Sequence, residues 1–233
     1  MFTPVKSKKM YVLAADQIKG LIEEGRLKAG EQLPSERDLA IQLGVSRSTV
    51  REAMTALEIQ GLIEVRSGLG TFICEQPDKG SPVLVLDDID EGTSPFEVFE
   101  ARMIIEPVLA RLAAQRATKE VLDDMRRNVD ACEMINDFDY EAFERLDEEF
   151  HLIIARAANN EALYKFEESI NSKRMGRLWG SLKLKSLQKE GRIKKYKNEH
   201  REILETITER NQGKAEHLVR MHLKDIKRHI FGD

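Results

Sequence analysis

Four residues in the second half of the chain carry side chains able to share a cation. Asp147 and His151 are four apart, so on a helix they project from one face. His200 and His222 lie further on, each within a run of helical periodicity. One carboxylate and three imidazoles gathered between helices form a metal site with coordination positions open for another ligand. The carboxylate favours Zn, Mn, Ni or Fe over a softer metal. Spacing alone does not single out this set. Asp-x-x-x-His is a weak signal, a helical histidine is more often a surface or satisfied core residue, and His217 and His229 flank His222.

A second constellation lies nearer the N-terminus, where Arg37, Arg47, Ser48, Thr49 and Arg51 cluster, with Arg66 and Gly68 following. A guanidinium fork matches O6 and N7 of guanine in the major groove. Serine and threonine at a helix start bond bases or phosphate, and the free N–H groups there favour an anion. Arg37 and Arg66 suit phosphate, and Gly68 lets the backbone approach a duplex closely. A single exposed arginine is most simply a solvated side chain. Three of them around a helix-turn-helix leave few other uses.

These residues need elements to hold them. Val12, Ala15, Ile18 and Ile22 recur at helical spacing, which predicts a helix over 8–24 ended by Glu24-Gly25. Ser35, with Asp38 three residues on, starts a short helix that buries Leu39, Ala40 and Leu43 and stops at Gly44. Ser46 caps a third helix, with Val50, Ala53, Met54 and Leu57 inward, ended by Gly61. Leu62–Arg66 and Thr71–Cys74 then read as a hairpin around Ser67-Gly68-Leu69-Gly70. Residues 75–95, rich in Pro, Gly and Asp, read as a linker, with Val83–Leu86 docking locally. From Phe96 to Phe231 only helical patterns occur, over about 96–116, 118–135, 139–157, 160–177, 179–187, 191–211 and 213–230, with glycines 176, 180, 191 and 213 as punctuation. The expected fold is mainly α: a winged helix-turn-helix over 1–74, the linker, and an antiparallel all-α bundle over 96–233. Arg102 is four residues before Glu106 and can pair with it, Asn160 suits a helix start, and the Lys/Arg-rich stretch 183–197 reads as a solvated face.

Composition sets the outer limits. At 41% hydrophobic and 33% charged over 233 residues, the chain has the make-up of a globular protein with room for two small domains. Cys74 and Cys132 are far apart and read as reduced thiols of a cytosolic protein. No apolar run approaches the roughly 20 residues of a membrane span, and the N-terminus has no secretory pattern, so the expected location is the cytoplasm. Residues 1–74 carry 10 basic and 9 acidic side chains while the whole chain is at −4. DNA affinity must therefore come from clustered arginines rather than from a bulk field.

The motifs L-P-S-E-R-D-L-A at 33–40, G-V-S-R-S-T-V-R-E-A at 44–53 and G-L-I-E-V-R-S-G-L-G-T-F at 61–72 resemble the DNA-binding domain of the GntR family of transcription regulators. The resemblance spans about 8–74 and implies operator contacts by Arg37, Arg47, Thr49, Arg51 and Gly68. E-A-R-M-I-I-E-P at 100–107, D-E-E-F-H-L-I-I-A-R-A-A-N-N at 147–160, H-R-E-I-L-E-T-I at 200–207 and A-E-H-L-V-R-M-H-L at 215–223 resemble the FCD domain of the FadR subfamily. In its metal-binding branch the ligands match Asp147, His151, His200 and His222, so the resemblance selects His222 over His217 and His229. It also makes Arg102 the candidate partner of a small carboxylate effector, with Asn171, Ser172 and Arg174 as further pocket residues.

The function expected from these features is a homodimeric, metabolite-responsive repressor that reads double-stranded operator DNA. Its helical domain would hold a divalent metal, zinc first, with nickel, manganese or iron as alternatives, together with a small carboxylate. The alternative is a metal-dependent hydrolase using the same Asp/His/His/His set to activate water. No H-E-x-x-H or comparable base pairing accompanies the set, and a hydrolase leaves the reading head without a role.

Overall fold

A computed structural model describes residues 9–66, 68–74, 93–175 and 177–231. Residues 75–92 of the linker expected over 75–95, its docking segment Val83–Leu86, the wing residue Ser67 and the punctuating Gly176 lie outside those residues, and Pro95 at the linker's expected end already begins a helix. The chain divides into two compact units, one of residues 1–96 with 176–181, the other of 97–175 with 182–233.

The first unit starts with α1 (Met10–Glu23), α2 (Glu36–Leu43) and α3 (Arg47–Ile59). Local chemistry sets the borders. Ser35 Oγ accepts the Asp38 N–H and Ser46 Oγ accepts the Thr49 N–H, each satisfying a donor with no partner inside its helix. Gly44 closes α2 at φ +68, a left-handed conformation that costs a residue with a Cβ. The core is Val12, Ala15 and Ile18 of α1 against Val50, Ala53 and Leu57 of α3, with Leu39, Ile63 and Ile73 buried alongside. Strands β1 (Ile63–Arg66) and β2 (Gly70–Ile73) pair antiparallel, with Ile63 opposite Ile73 and Arg66 opposite Gly70.

The segment before α2 lies along β2. Leu33 N donates to Thr71 O, and Ile73 N donates to Glu31 O. Gln32 Nε2 donates to Leu69 O at 2.7 Å. A Cβ on Gly70 would come within 2.4 Å of that same nitrogen, the end of a side chain that can move aside only by giving up this bond, and the backbone φ of +113 favours glycine there.

The second unit runs through α4 (Pro95–Arg116), α5 (Lys119–Met134), α6 (Tyr140–Ala157), α7 (Glu161–Ser172), a 3₁₀ turn (Lys173–Met175), α8 (Arg177–Leu187), α9 (Arg192–Thr208) and α10 (Gln212–Phe231). The first residues of α4 and of α8 belong to the first unit. Thr118, Asp139 and Asn160 accept backbone N–H groups at the starts of α5, α6 and α7, so Asn160 serves the helix start expected of it. Phe99, Leu109, Ala113, Met125, Phe143, Phe150, Tyr196 and Leu223 are fully buried.

Two expectations need correction. The helix predicted over 160–177 stops at Ser172, and the tighter 3₁₀ turn that follows brings Arg174 to bond with Asn171 and Asp147. The stretch 183–197 is not a uniformly solvated face. Lys183 and Lys197 are buried, the first on Asp147 and the second on Ile135 O and Asp137. A buried lysine persists only where oxygens replace its water.

Ser46→Ala removes the acceptor for the Thr49 N–H. It is expected to lower the stability of the first unit by about 1 kcal/mol, read as a lower urea midpoint by circular dichroism.

Candidate functional site

Helix α6 buries an apolar stripe of Phe143, Phe150, Ile153 and Ile154. Asp147 and His151 lie on the same side and are buried with it, 0% and 2% exposed. His200 of α9 and His222 of α10 are equally buried. One ligand atom from each of Asp147, His151, His200 and His222 falls within 4.8 Å of the others. His217 is exposed, and His229 Nδ1 lies against the Asp225 carbonyl, so neither joins the cluster.

Each of the four residues aims an unsatisfied atom at the centre. Asp147 Oδ1 and the Nε2 atoms of His151, His200 and His222 have no hydrogen-bond partner among the described residues. Asp147 Oδ1 is 3.5 Å from His200 Nε2 and 3.8 Å from His151 Nε2. A buried acceptor without a partner costs roughly 1–3 kcal/mol, and four at one point are most simply satisfied by a single cation. The donor set, three imidazoles and one carboxylate, fits a divalent transition metal.

The outer sides of three of the ligands have charged neighbours, whereas His200 Nδ1 has no hydrogen-bond partner among the described residues. Asp147 Oδ2 accepts from Arg174 Nη2 at 2.7 Å and from Lys183 Nζ at 3.1 Å. His222 Nδ1 lies 2.6 Å from Glu199 Oε2, and His151 Nδ1 lies 2.6 Å from Glu106 Oε2. Glu106 in turn pairs with buried Arg102, which sits over the Phe99 ring. The His200 ring stacks on Phe150 at 4.1 Å between centroids. Carboxylates behind the imidazoles fix tautomer and orientation, the usual arrangement around a metal-binding histidine. Glu106 and Glu199 were not singled out as site residues in the sequence. The available signals were weak: Glu106 is one turn after Arg102, and Glu199 adjoins His200.

Protonation follows from these contacts. Burial works against the Asp147 charge, but Lys183, the neighbouring His151 and Arg174 outweigh it and hold the carboxyl well below its usual range. Burial and the neighbouring His222 hold His200 well below the ordinary histidine value, and burial lowers His222 also. An anionic Asp147 with neutral His200 and His222 is the state in which those groups can ligate.

Arg102, Asn171 and Arg174 are all buried beside this centre. Asn171 Oδ1 accepts from Arg174 Nη1 at 2.9 Å, and Arg174 Nη2 also reaches Glu144 at 2.9 Å. Ser172 is exposed and donates to the Ser169 carbonyl. One further acid went unnoticed in the sequence. Glu167 of α7 is 1% exposed and its Oε2 has no partner among the described residues. Burial, then the nearby Glu106 charge, push its carboxyl up to about 7. A groove of about 440 Å³ opens elsewhere in this unit, between Asp137–Tyr140 and residues 187–194, and none of these site residues lines it.

In the first unit Arg37 and Arg47 are exposed. Arg51 is half-buried and pairs with Glu36 through Nε at 2.9 Å and through Nη2. Ser48 is buried against the Ser46 hydroxyl, and Thr49 Oγ1 lies 2.8 Å from the same oxygen. Arg66 pairs with Glu64 and lies 4.4 Å over the Phe72 ring. Gly68 adopts φ +73 at the wing turn. On the inner side of α3, buried Glu52 accepts from Ser94 Oγ at 2.7 Å and from Phe96 N at 2.8 Å.

Arg174→Met leaves Asp147 and Glu144 with one buried cation fewer. Breaking such a pair from one side is expected to cost about 3 kcal/mol, measured by denaturation of the second unit.

Comparison with known proteins places both units. The pattern of the family described as bacterial regulatory proteins, gntR family, matches residues 10–73, and that of the FCD domain matches residues 97–225. The chain is 30% identical over 225 residues to the Uxu operon regulator of Haemophilus influenzae, covering 95% of this chain and 82% of that one. It is 29% identical over 221 residues to the HTH-type transcriptional regulator LutR of Bacillus subtilis, covering 91% and 97%. A solved structure of Lar, described as controlling expression of the Listeria monocytogenes agr system, covers 97% of this chain and 99% of that one at 19% identity and a TM-score of 0.50, a likeness of fold.

Proposed function

The chain belongs to the GntR family of bacterial regulatory proteins, with an FCD domain as its second half, and we propose that it is a homodimeric repressor released from its operator by a small carboxylate bound at a metal centre. It is a DNA-binding transcriptional regulator, and its relatives are regulators rather than enzymes.

The observation that carries the metal reading is the convergence of four unsatisfied buried atoms on one point. Asp147, His151, His200 and His222 would hold the ion, with zinc, nickel, manganese and iron all compatible with the donor set. A bound divalent cation supplies a Lewis-acidic seat for an anionic oxygen.

Charge supports the carboxylate reading. Arg174 and Lys183 balance Glu144 and Asp147, and Arg102 balances Glu106. Glu199 has Lys195 beside it at 3.5 Å. The charge of a divalent cation added to this balanced set calls for an anion, and burial strengthens the attraction. Arg102 is the candidate counter-ion of that anion. Asn171 and Arg174 act on the same pocket by positioning Asp147.

For DNA, Arg37, Arg47 and Arg51 with Ser48 and Thr49 form the reading surface of a recognition helix, and Arg66 and Gly68 form that of the wing. Two chains related by a two-fold axis each read one half-site of a palindrome. The effector shifts the equilibrium only by its differential affinity for the two arrangements, so a tenfold loss of DNA affinity requires about 1.4 kcal/mol.

Two measurements test these halves separately. Protein purified without chelator is expected to carry one metal per chain by elemental analysis. Glu199→Gln should weaken metal retention about 10–100-fold against a competing chelator, and a metal-free wild-type protein would remove the metal reading. Arg47→Ala should weaken binding to an operator selected from random duplexes by roughly 1–3 kcal/mol with metal content unchanged. Undiminished binding would remove Arg47 from the reading surface.

A further inference from the structure

Arg51 has one side of its side chain already taken. A guanidinium is a planar fork of five N–H donors with two edges able to make paired bonds, one from Nε and Nη2 and one from Nη1 and Nη2. Glu36 occupies the first edge with both oxygens: Oε1 accepts from Nε at 2.9 Å and Oε2 accepts from Nη2. No bond among the described residues uses Nη1. The Arg51 and Glu36 side chains are 21% and 33% exposed, so water competes with the pair only in part. Arg66 differs. It directs Nε and Nη2 at a single oxygen of Glu64, in an exposed pair two residues apart on one strand, and such a contact does not fix the fork.

The pair joins two helix starts. Glu36 is the first residue of α2, and Arg51 lies on α3 four residues after exposed Arg47, on the same face. Serines cap both helices at those ends, so carboxylate and fork each stand on an ordered element. A paired arginine–carboxylate contact sets the plane of the guanidinium. The edge left over, Nη1 with the second hydrogen of Nη2, is the one that matches O6 and N7 of guanine. Phosphate accepts from either edge and carries no sequence information. It bears a full negative charge, so Glu36 opposes it more strongly than it opposes a guanine edge, which bears partial charges only.

We propose that Glu36 is a specificity-determining residue for DNA: it holds Arg51 along one edge, reserves the other edge for guanine and withholds the side chain from phosphate. It is a positioning residue, acting through Arg51 and not on the duplex itself. The proposal rests on the assignment of Arg51 to the reading surface and adds to it the group that aims the side chain. An unheld Arg51 gains from every duplex through phosphate. A held one gains chiefly where guanine meets the fixed plane, so total affinity falls while discrimination rises.

The test uses full-length protein, an operator selected from random duplexes and an unrelated duplex of equal length. Both are titrated by fluorescence anisotropy over a range of salt. Glu36→Gln keeps the shape but gives up the charge and one acceptor oxygen. It is expected to bind the unrelated duplex about three- to tenfold more tightly, with a salt slope steeper by about one per reading head. The ratio of operator to unrelated affinity is expected to fall about tenfold. Arg51→Lys, which keeps the charge and loses the fork, is expected to lower the same ratio and carries the test should Glu36→Gln not fold. In an Arg51→Ala background, Glu36→Gln should change the ratio by less than about twofold. An unchanged ratio in either single variant would overturn the proposal. So would a fall of undiminished size in the Arg51→Ala background, which would make Glu36 a direct base contact. Operator binding unaltered by Arg51→Ala alone would remove Arg51 from the reading surface, and this proposal with it.

Discussion

A carboxylate sealed from water must be neutralised by its neighbours, and Asp147 is neutralised from one side only. Arg174 and Lys183 both bond its Oδ2, while Oδ1 faces nothing but imidazoles. Arg174 and Lys183 hold Asp147 anionic, and on the proposed metal reading its other oxygen keeps its lone pairs for an ion. Glu144 pairs with the same two cations, so two positive charges meet two negative ones. Such a network is weak evidence for stability, since well-packed apolar residues do as well or better in that respect. What it secures is geometry.

The part of the molecule visible in the sequence is the part governed by neighbours along the chain. Ser35, Ser46, Asn160 and Gly44 mark borders because capping and left-handed backbone act over three or four residues. The pairing of Asp147 with His151 has the same origin. Residues that act across helices left no such mark. Lys183 stands in a basic run whose other members suggest solvent, and only the tertiary position of Asp147 pulls it inward. Glu106 and Glu199 look like ordinary helical acids until His151 and His222 come to rest beside them. The break at Ser172 went unseen because its reason is the long-range bond between Arg174 and Asp147. His222 was separable from His217 and His229 only through family resemblance, and burial now separates them physically.

The DNA-facing unit shows a comparable division of labour. Arg37 and Arg47 are exposed, and Arg51 and Arg66 have carboxylate partners in Glu36 and Glu64. On the proposed DNA reading, phosphate or guanine would have to share Arg51 and Arg66 with those acids, which would reduce the gain from each contact. Ser48 is turned into the helix cap rather than outward, so its contribution to recognition runs through the shape of the helix start. Glu52, on the opposite side of α3, is tied to Ser94 and Phe96. Helix α3 thus carries exposed Arg47 at its start and, further along, a buried acid bonded to Ser94 and Phe96.

The wing carries the last consequence. Gln32 reaches the Leu69 carbonyl across the space that a Cβ on residue 70 would enter. The donor belongs to the stretch leading directly into α2, so the hairpin tip is fastened to the base of the helix-turn-helix by something other than its own two strands. That bond, together with those between Leu33 and Thr71 and between Ile73 and Glu31, ties the wing to the stretch before α2 along its length, so disturbing residues 31–33 would disturb the wing as well as the helix they lead into.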